Sequence, residues 1–246
     1  MSDIGLKWRN LSAVLQQTLE VNALETKQPL WHAPGFWWPT AVDVDRKCLG
    51  LYLKRLLDIV GSAIGLVILA PLFAILSIAI KLDSPGPVFY CAPRLGWRGR
   101  KFTCYKFRSM VSNAETLKDE LRNQSYREGP TFKVANDPRV TRLGKLLRRS
   151  SFDELPQLIN VLKGDMSLVG PRPHPLDDCK QYKPEHLRRL EVVPGITGLW
   201  QVRGRQDSSF DKNFLMDMQY IECWSLWLDL KLLARTLPAV FRGTGE

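Results

Sequence analysis

Residues 59–80 contain no charged side chain and carry Pro71 near their middle, and this run constrains the fold more than any other feature. Lys54, Arg55 and Asp58 precede it and Lys81 follows. A helix rises 1.5 Å per residue, so roughly 20 apolar residues cross a bilayer core and this run is long enough to span. Pro71 removes a backbone donor and crowds the carbonyl one turn earlier, which predicts a kink at Ala70-Pro71. Basic residues at both ends leave two geometries open: a straight span, or a helix that enters, bends and returns to the same face. The polar, basic remainder is expected on the cytoplasmic side, working at a membrane surface. The run also begins too deep, and is too long, for a cleaved signal peptide.

A chain of 246 residues accommodates one globular domain with appendages, or at most two small domains. Its net charge of +10 points to an anionic partner such as phospholipid, nucleotide, polyphosphate or nucleic acid. Eight tryptophans suit a bilayer interface, where an apolar ring with one polar edge is at home. The five cysteines form no C-x-x-C pair and the three histidines are dispersed. That pattern argues against a zinc site or a disulfide framework and for a reducing cytosol. Base-reading modules are missing, with no helix-turn-helix pattern, aromatic RNA-binding strand or zinc finger.

Three regions follow from the pattern: an appendage at 1–50, the membrane segment at 51–82, and a polar, basic cytoplasmic body at 83–246. In the appendage, 11–24 reads as a helix. The aromatic, proline-rich stretch at 31–39 rests either on lipid headgroups or on the chain's own domain. A turn at 83–87 leads into two short strands, 88–90 and 101–107, paired as a hairpin around Gly96 and Gly99. Helical spacing is predicted over 111–122, a loop over 123–136, and a basic helix over 139–149. Its leucines form one stripe and its cations face either phosphates, anionic lipid or plain solvent. A second short helix at 152–162 stops at Gly164. The Pro171-Arg172-Pro173 segment reads as a rigid loop, 187–192 as helix and 194–198 as a turn. Residues 210–241 read as one amphipathic helix with Trp224 and Trp227 at neighbouring positions of one face.

The chemistry centres on Asp153 and Glu154. Adjacent carboxylates repel, so keeping both ionised requires positive charge from arginines or a divalent cation. A carboxylate can act as a nucleophile toward phosphorus, and its neighbour can hold Mg²⁺, which prefers carboxylate and phosphate oxygens. The plainer reading places both acids in a first helical turn, where they complement the dipole. Arg148 lies five positions upstream. Arg172, locked between prolines, is pre-set to meet a phosphate with a planar fork. Arg203 and Arg205 flank Gly204, where backbone could approach a pyrophosphate. No P-loop, dinucleotide fingerprint or nucleophile elbow is present.

Several ordered motifs carry a resemblance. They are Lys54-Arg55-Leu56-Leu57-Asp58, the Ala70-Pro71 break, Tyr105-Lys106-Phe107-Arg108-Ser109-Met110, and Ser151-Phe152-Asp153-Glu154-Leu155-Pro156-Gln157. Asn160-Val161-Leu162-Lys163-Gly164-Asp165-Met166-Ser167, Val169-Gly170-Pro171-Arg172-Pro173, Pro194-Gly195-Ile196-Thr197-Gly198 and Trp227-Leu228-Asp229-Leu230-Lys231 complete the series. Over about residues 54–242 the chain resembles the bacterial sugar transferases, the monotopic polyprenyl-phosphate phosphoglycosyltransferases. The resemblance implies an α+β, mainly helical fold. A re-entrant membrane helix, interfacial amphipathic helices and a small β-hairpin would surround an active site on the cytoplasmic face of the bacterial inner membrane.

It further implies transfer of a sugar-1-phosphate from a UDP-sugar to undecaprenyl phosphate, the first membrane step of surface polysaccharide or glycoconjugate synthesis. By the same resemblance Asp153 is the nucleophile and Glu154 the Mg²⁺ ligand. Lys106 and Asp229 are needed for activity, and Arg148 and Arg205 hold phosphate groups. Membrane lipid is an expected partner and nucleic acid is not. The sugar and the oligomeric state, a homodimer included, are left open. Longer relatives carry extra spans ahead of this domain that residues 1–50 cannot supply, whereas the smallest relatives lack these fifty residues. The competing reading is a membrane-tethered basic scaffold without turnover.

Overall fold

The computed structural model describes residues 44–117, 120–121, 134, 136–203 and 209–241. The helix expected at 11–24, the aromatic stretch at 31–39, nearly all of the 123–136 loop and Arg205 lie outside the described residues.

Helix α1 (Val44–Asp83) runs for 40 residues and contains the whole uncharged run. Its backbone stays helical through Ala70 and Pro71, both on the exposed side, so the motif does not end the helix. One missing donor costs one hydrogen bond, which the adjoining turns accommodate.

One stripe of α1 faces the rest of the chain. Asp58, Ser62, Leu76 and Ile80 are buried, while Val67 and Ile68 on the other side stay largely exposed. Gly61 and Gly65 lie on the inner stripe, where a Cβ would come within 2.8 Å of the Leu168 side chain and 3.2 Å of the Leu158 side chain, respectively. Glycine is what allows the domain to approach the helix this closely. Lys54 and Ile80 are 26 residues apart, about 39 Å of helix. Both ends of that stretch pack on the same domain: Leu76 and Ile80 join Phe107 and Leu147 in one apolar cluster, and Lys54 bonds the Val169 carbonyl.

Strands β1 (Phe89–Leu95) and β2 (Lys101–Phe107) form the predicted antiparallel hairpin, with Tyr90 opposite Lys106. Alternation along β2 turns Phe102 and Cys104 into a core with Ala92, Val161 and Met166. The same period sends Lys106 inward at the end of that apolar row.

Helices α2 (Arg142–Arg149) and α3 (Gln157–Lys163) follow, joined by a 3-10 turn at Phe152–Glu154. The continuous helix expected over 152–162 is therefore a turn plus a helix, because Pro156 lacks the donor that would join them. Asn160 pins α3 to the hairpin, accepting from the Tyr105 amide at 2.9 Å and donating to the Thr103 carbonyl at 2.6 Å.

Strand β3 (Ser167–Val169) pairs in parallel with β4 (Gly195–Thr197). Between them lie the proline loop, the short α4 (Leu176–Cys179) and a 3-10 helix, Pro184–Glu191, which covers most of the helix expected at 187–192. Helix α5 (Leu199–Arg203) precedes α6 (Phe210–Glu222) and α7 (Leu226–Phe241).

Two further expectations are corrected. Residues 111–117 form turns instead of a helix: the Val111 amide bonds the Arg139 carbonyl, Arg139 bonds the Ala114 carbonyl, and Thr116 bonds the Asn113 carbonyl. Such side-chain bonds compete directly with helical pairing. The stretch 210–241 is two helices, broken where Ser225 caps α7 by accepting from the Leu228 amide. The break separates the two tryptophans: Trp224 turns inward, whereas Trp227 is 69% exposed. Trp227, Leu230 and Ala234 form an exposed apolar stripe on α7, bordered by exposed Lys231 and Arg235.

Candidate active site

Helix α2 begins at Thr141, whose hydroxyl accepts from the Gly144 amide at 2.9 Å, and it ends at Ser150. Ser151 then takes a left-handed conformation, φ 58°, which reverses the chain within one residue. A non-glycine residue in that region stores a little strain, a common accompaniment of functional sites. The reversal carries Asp153 back toward Arg148, near the end of α2. Both line one cleft of about 610 Å³, together with Lys106, Ser109 and Arg139. Tyr90, Cys91 and Glu115 line another part of it.

The two acids face different surroundings. Arg172 forks Glu154, with Nη1 donating to Oε2 at 2.8 Å and Nη2 to Oε1, and Lys106 Nζ meets Oε1 at 2.7 Å. Burial would raise the Glu154 carboxyl, but Arg172 and Lys106 outweigh it and hold the group well below its ordinary range. Asp153 has no such clamp. Burial pushes it up to about 6, with Lys106 pulling down and Glu154 pushing up. Arg148 donates to the Ser109 hydroxyl at 3.0 Å, which fixes its guanidinium in the cleft. One acid is thus held in its charged form by two cations; the other, raised toward neutrality, is open to the cleft.

Mg²⁺ fits this donor set in part. The carboxylates offer hard oxygens, and Glu154 Oε2 receives only Arg172. No group of three His, Cys, Asp or Glu side chains able to hold a metal exists among the described residues. Substrate phosphates and water would therefore complete any Mg²⁺ shell, the usual arrangement for this ion.

The structure brings Asp153, Glu154, Lys106, Arg148 and Arg172 together and leaves two expected residues apart. Arg203 is exposed at the end of α5 and does not line the cleft. Asp229 is fully buried in a different cluster. It accepts from Lys54 at 2.7 Å, from the Tyr220 hydroxyl at 2.8 Å and from the Trp224 indole at 3.1 Å. This cluster ties α1 to α6 and α7. Sequence reading noted Lys54 within a motif but gave it no partner, because 175 residues separate it from Asp229.

An apolar helix long enough to cross a membrane packs on a small α+β domain that sets an acid pair among cations. Comparison with known proteins places the protein more narrowly. The chain belongs to the bacterial sugar transferase family, whose profile matches residues 49–243. It is 47% identical over 196 residues to the galactosyl transferase CpsE of Streptococcus agalactiae, covering 79% of this chain and 43% of that protein. It is 46% identical over 198 residues to the undecaprenyl-phosphate galactose phosphotransferase of Salmonella typhimurium, covering 79% and 41%. With the exopolysaccharide production protein ExoY of Rhizobium meliloti it shares 39% over 202 residues, covering 80% and 89%. The chain thus spans about two fifths of the first two relatives and most of the third.

Proposed function

We propose that the protein transfers a sugar-1-phosphate from a UDP-sugar to undecaprenyl phosphate through a covalent intermediate on Asp153. A carboxylate of the Asp153 side chain attacks the sugar-bearing phosphorus. The bond from that phosphorus to the bridging oxygen breaks, and UMP departs with the oxygen and its electron pair. An oxygen of undecaprenyl phosphate then attacks the same phosphorus, the aspartyl–phosphorus bond breaks, and polyprenyl diphosphosugar is released.

The observation that carries this reading is the division of labour between the acids. Asp153 is open to a cation-lined cleft while Glu154 is clamped beside it. Arg148 and Lys106 meet the diphosphate charge as it redistributes, which is commonly the largest part of phosphoryl-transfer catalysis. Bound Mg²⁺, held by Glu154 and donor phosphates, would neutralise negative charge on the donor diphosphate and on the UMP that leaves.

A panel of UDP-glucose, UDP-galactose and their N-acetylated counterparts, assayed for UMP release with undecaprenyl phosphate, tests the reaction. At least one donor is expected to release UMP over many turnovers only when the lipid acceptor is present, and no more than one UMP per enzyme molecule without it. Salt-sensitive DNA binding with no UMP release from any donor would overturn the reading in favour of a basic scaffold.

The membrane arrangement is part of the same proposal: α1 enters and leaves on the cytoplasmic face of the inner membrane. Support comes from the domain contacts at both Lys54 and Ile80, since a perpendicular span would carry one of them far from the domain. The apolar stripe of α7, with its bordering cations, has the make-up of a helix lying among headgroups. Tags at the two termini are both expected on the cytoplasmic side in protease-protection assays. An N-terminal tag digested from the periplasm would replace this topology with a span.

A further inference from the structure

We infer that Arg189 is a positioning residue for Arg172, with Asp217 as its buried counter-ion. This deepens the reading above, in which Glu154, forked by Arg172, is clamped beside Asp153.

Arg189 sits in the 3-10 segment and is 5% exposed. Its Nη2 donates to the backbone carbonyl of Arg172 at 3.3 Å, and its Nη1 donates to the Tyr182 hydroxyl at 2.9 Å. Nη1 also lies 3.0 Å from Nε2 of His174, two residues beyond Arg172. Its head group therefore grips the proline loop at two points. Pro171 and Pro173 have fixed φ, so little rotation remains in that loop once the Arg172 carbonyl is held. The direction of the Arg172 fork is then set from behind.

Asp217, on α6, is 1% exposed and lies 2.6 Å from Arg189 Nη2. The approach is oblique, and neither carboxylate oxygen has an aligned donor. Burial pushes Asp217 up to about 6 even beside Arg189. The rings of His174, Tyr182, His186 and Phe210 pack around the loop and help exclude water. A buried ion pair adds little stability over an apolar pair of equal volume. What an apolar pair could not supply is a donor to the Arg172 carbonyl.

That contrast provides the test. The paired change Arg189→Met with Asp217→Leu removes both charges and keeps the volume. In full-length protein in nanodiscs its melting temperature is expected to stay close to wild type. Its kcat/KM for the UDP-sugar is expected to fall about 10–100-fold, the usual scale for losing a residue that orients a direct ligand. Most of that fall should lie in KM. In an Arg172→Ala background the same pair is expected to cost almost nothing further, because residues acting through one another are non-additive.

Wild-type kcat/KM in the paired variant, or a full additional loss on top of Arg172→Ala, would overturn the inference. Should the paired variant not fold, Arg189→Lys keeps the charge toward Asp217 but lacks the second nitrogen, and it is expected to show the same coupling. Calorimetric binding of UMP gives a readout independent of turnover. Weaker UMP binding in Arg189→Lys and Arg172→Ala alike, without extra loss in the double variant, supports the inference even if no donor is turned over. Unchanged UMP binding in Arg189→Lys counts against it. A wild-type chain that binds no UMP overturns both this inference and the reaction.

Discussion

Asp153→Asn is expected to lower UMP release by roughly 10⁴-fold or more, the scale seen when a nucleophile is removed from a cooperating catalytic unit. The same change is expected to leave the fold at least as heat-resistant as wild type above pH 6. The reason lies in one shift with two consequences. Burial raises the Asp153 carboxyl from 3.8 to about 6. Its contribution to stability is therefore fully present below pH 3.8, and it is lost as pH rises through about 6. Asparagine has no charge to bury, so the variant escapes that loss. Catalysis runs the other way, because only the ionised carboxylate attacks phosphorus. Wild-type kcat/KM is expected to fall about tenfold per pH unit below about 6 and to level off above it. Activity surviving in Asp153→Asn, or a rate without an acid limb, would remove the covalent step. Loss of activity together with loss of fold would leave the carboxylate with a structural role instead.

Asp229→Asn is expected to produce the largest loss of stability. Asp229 is fully buried and accepts three hydrogen bonds, and Lys54 is its ion partner at 2.7 Å with a side chain only 13% exposed. Breaking a buried pair from one side strands the other charge, at a cost of about 3–5 kcal/mol. Thermal unfolding in nanodiscs should show a markedly lower midpoint. Replacing both partners, Lys54→Met with Asp229→Leu, should recover most of it. Because Asp229 bonds to Lys54 of α1, Tyr220 of α6 and Trp224 ahead of α7, and not to the acid pair, turnover per folded molecule should change far less than stability. An unchanged midpoint with abolished turnover would return Asp229 to the chemistry.

Local rules made part of this legible before any coordinates. The uncharged run became α1, alternation and glycines located the hairpin, and the Pro171-Arg172-Pro173 segment is non-helical as expected. The acid pair and its Lys106, Arg148 and Arg172 neighbours were singled out from residue types and a family likeness, and they meet in one place. What periodicity missed depends on long separations or on single side chains. The partnership of Lys54 with Asp229 and that of Arg189 with Asp217 leave no imprint on spacing. In the 210–241 stretch the apolar repeat runs across the break, so the serine that caps α7 was read as one more helical residue. At 111–117 helical spacing was present, but Arg139 and Thr116 claim the local carbonyls. Arg203 drew attention for its glycine neighbour, yet it sits exposed at the end of α5 and does not line the cleft.

The glycines of α1 have one more consequence. Small residues four apart are how lipid-embedded helices commonly seat against one another, often across a two-fold axis. Here Gly61 and Gly65 are already filled by Leu168 and Leu158 of their own polypeptide. That seam is occupied by the chain's own side chains, so these two glycines are not free to seat a second copy, and the helix is a private attachment of one domain.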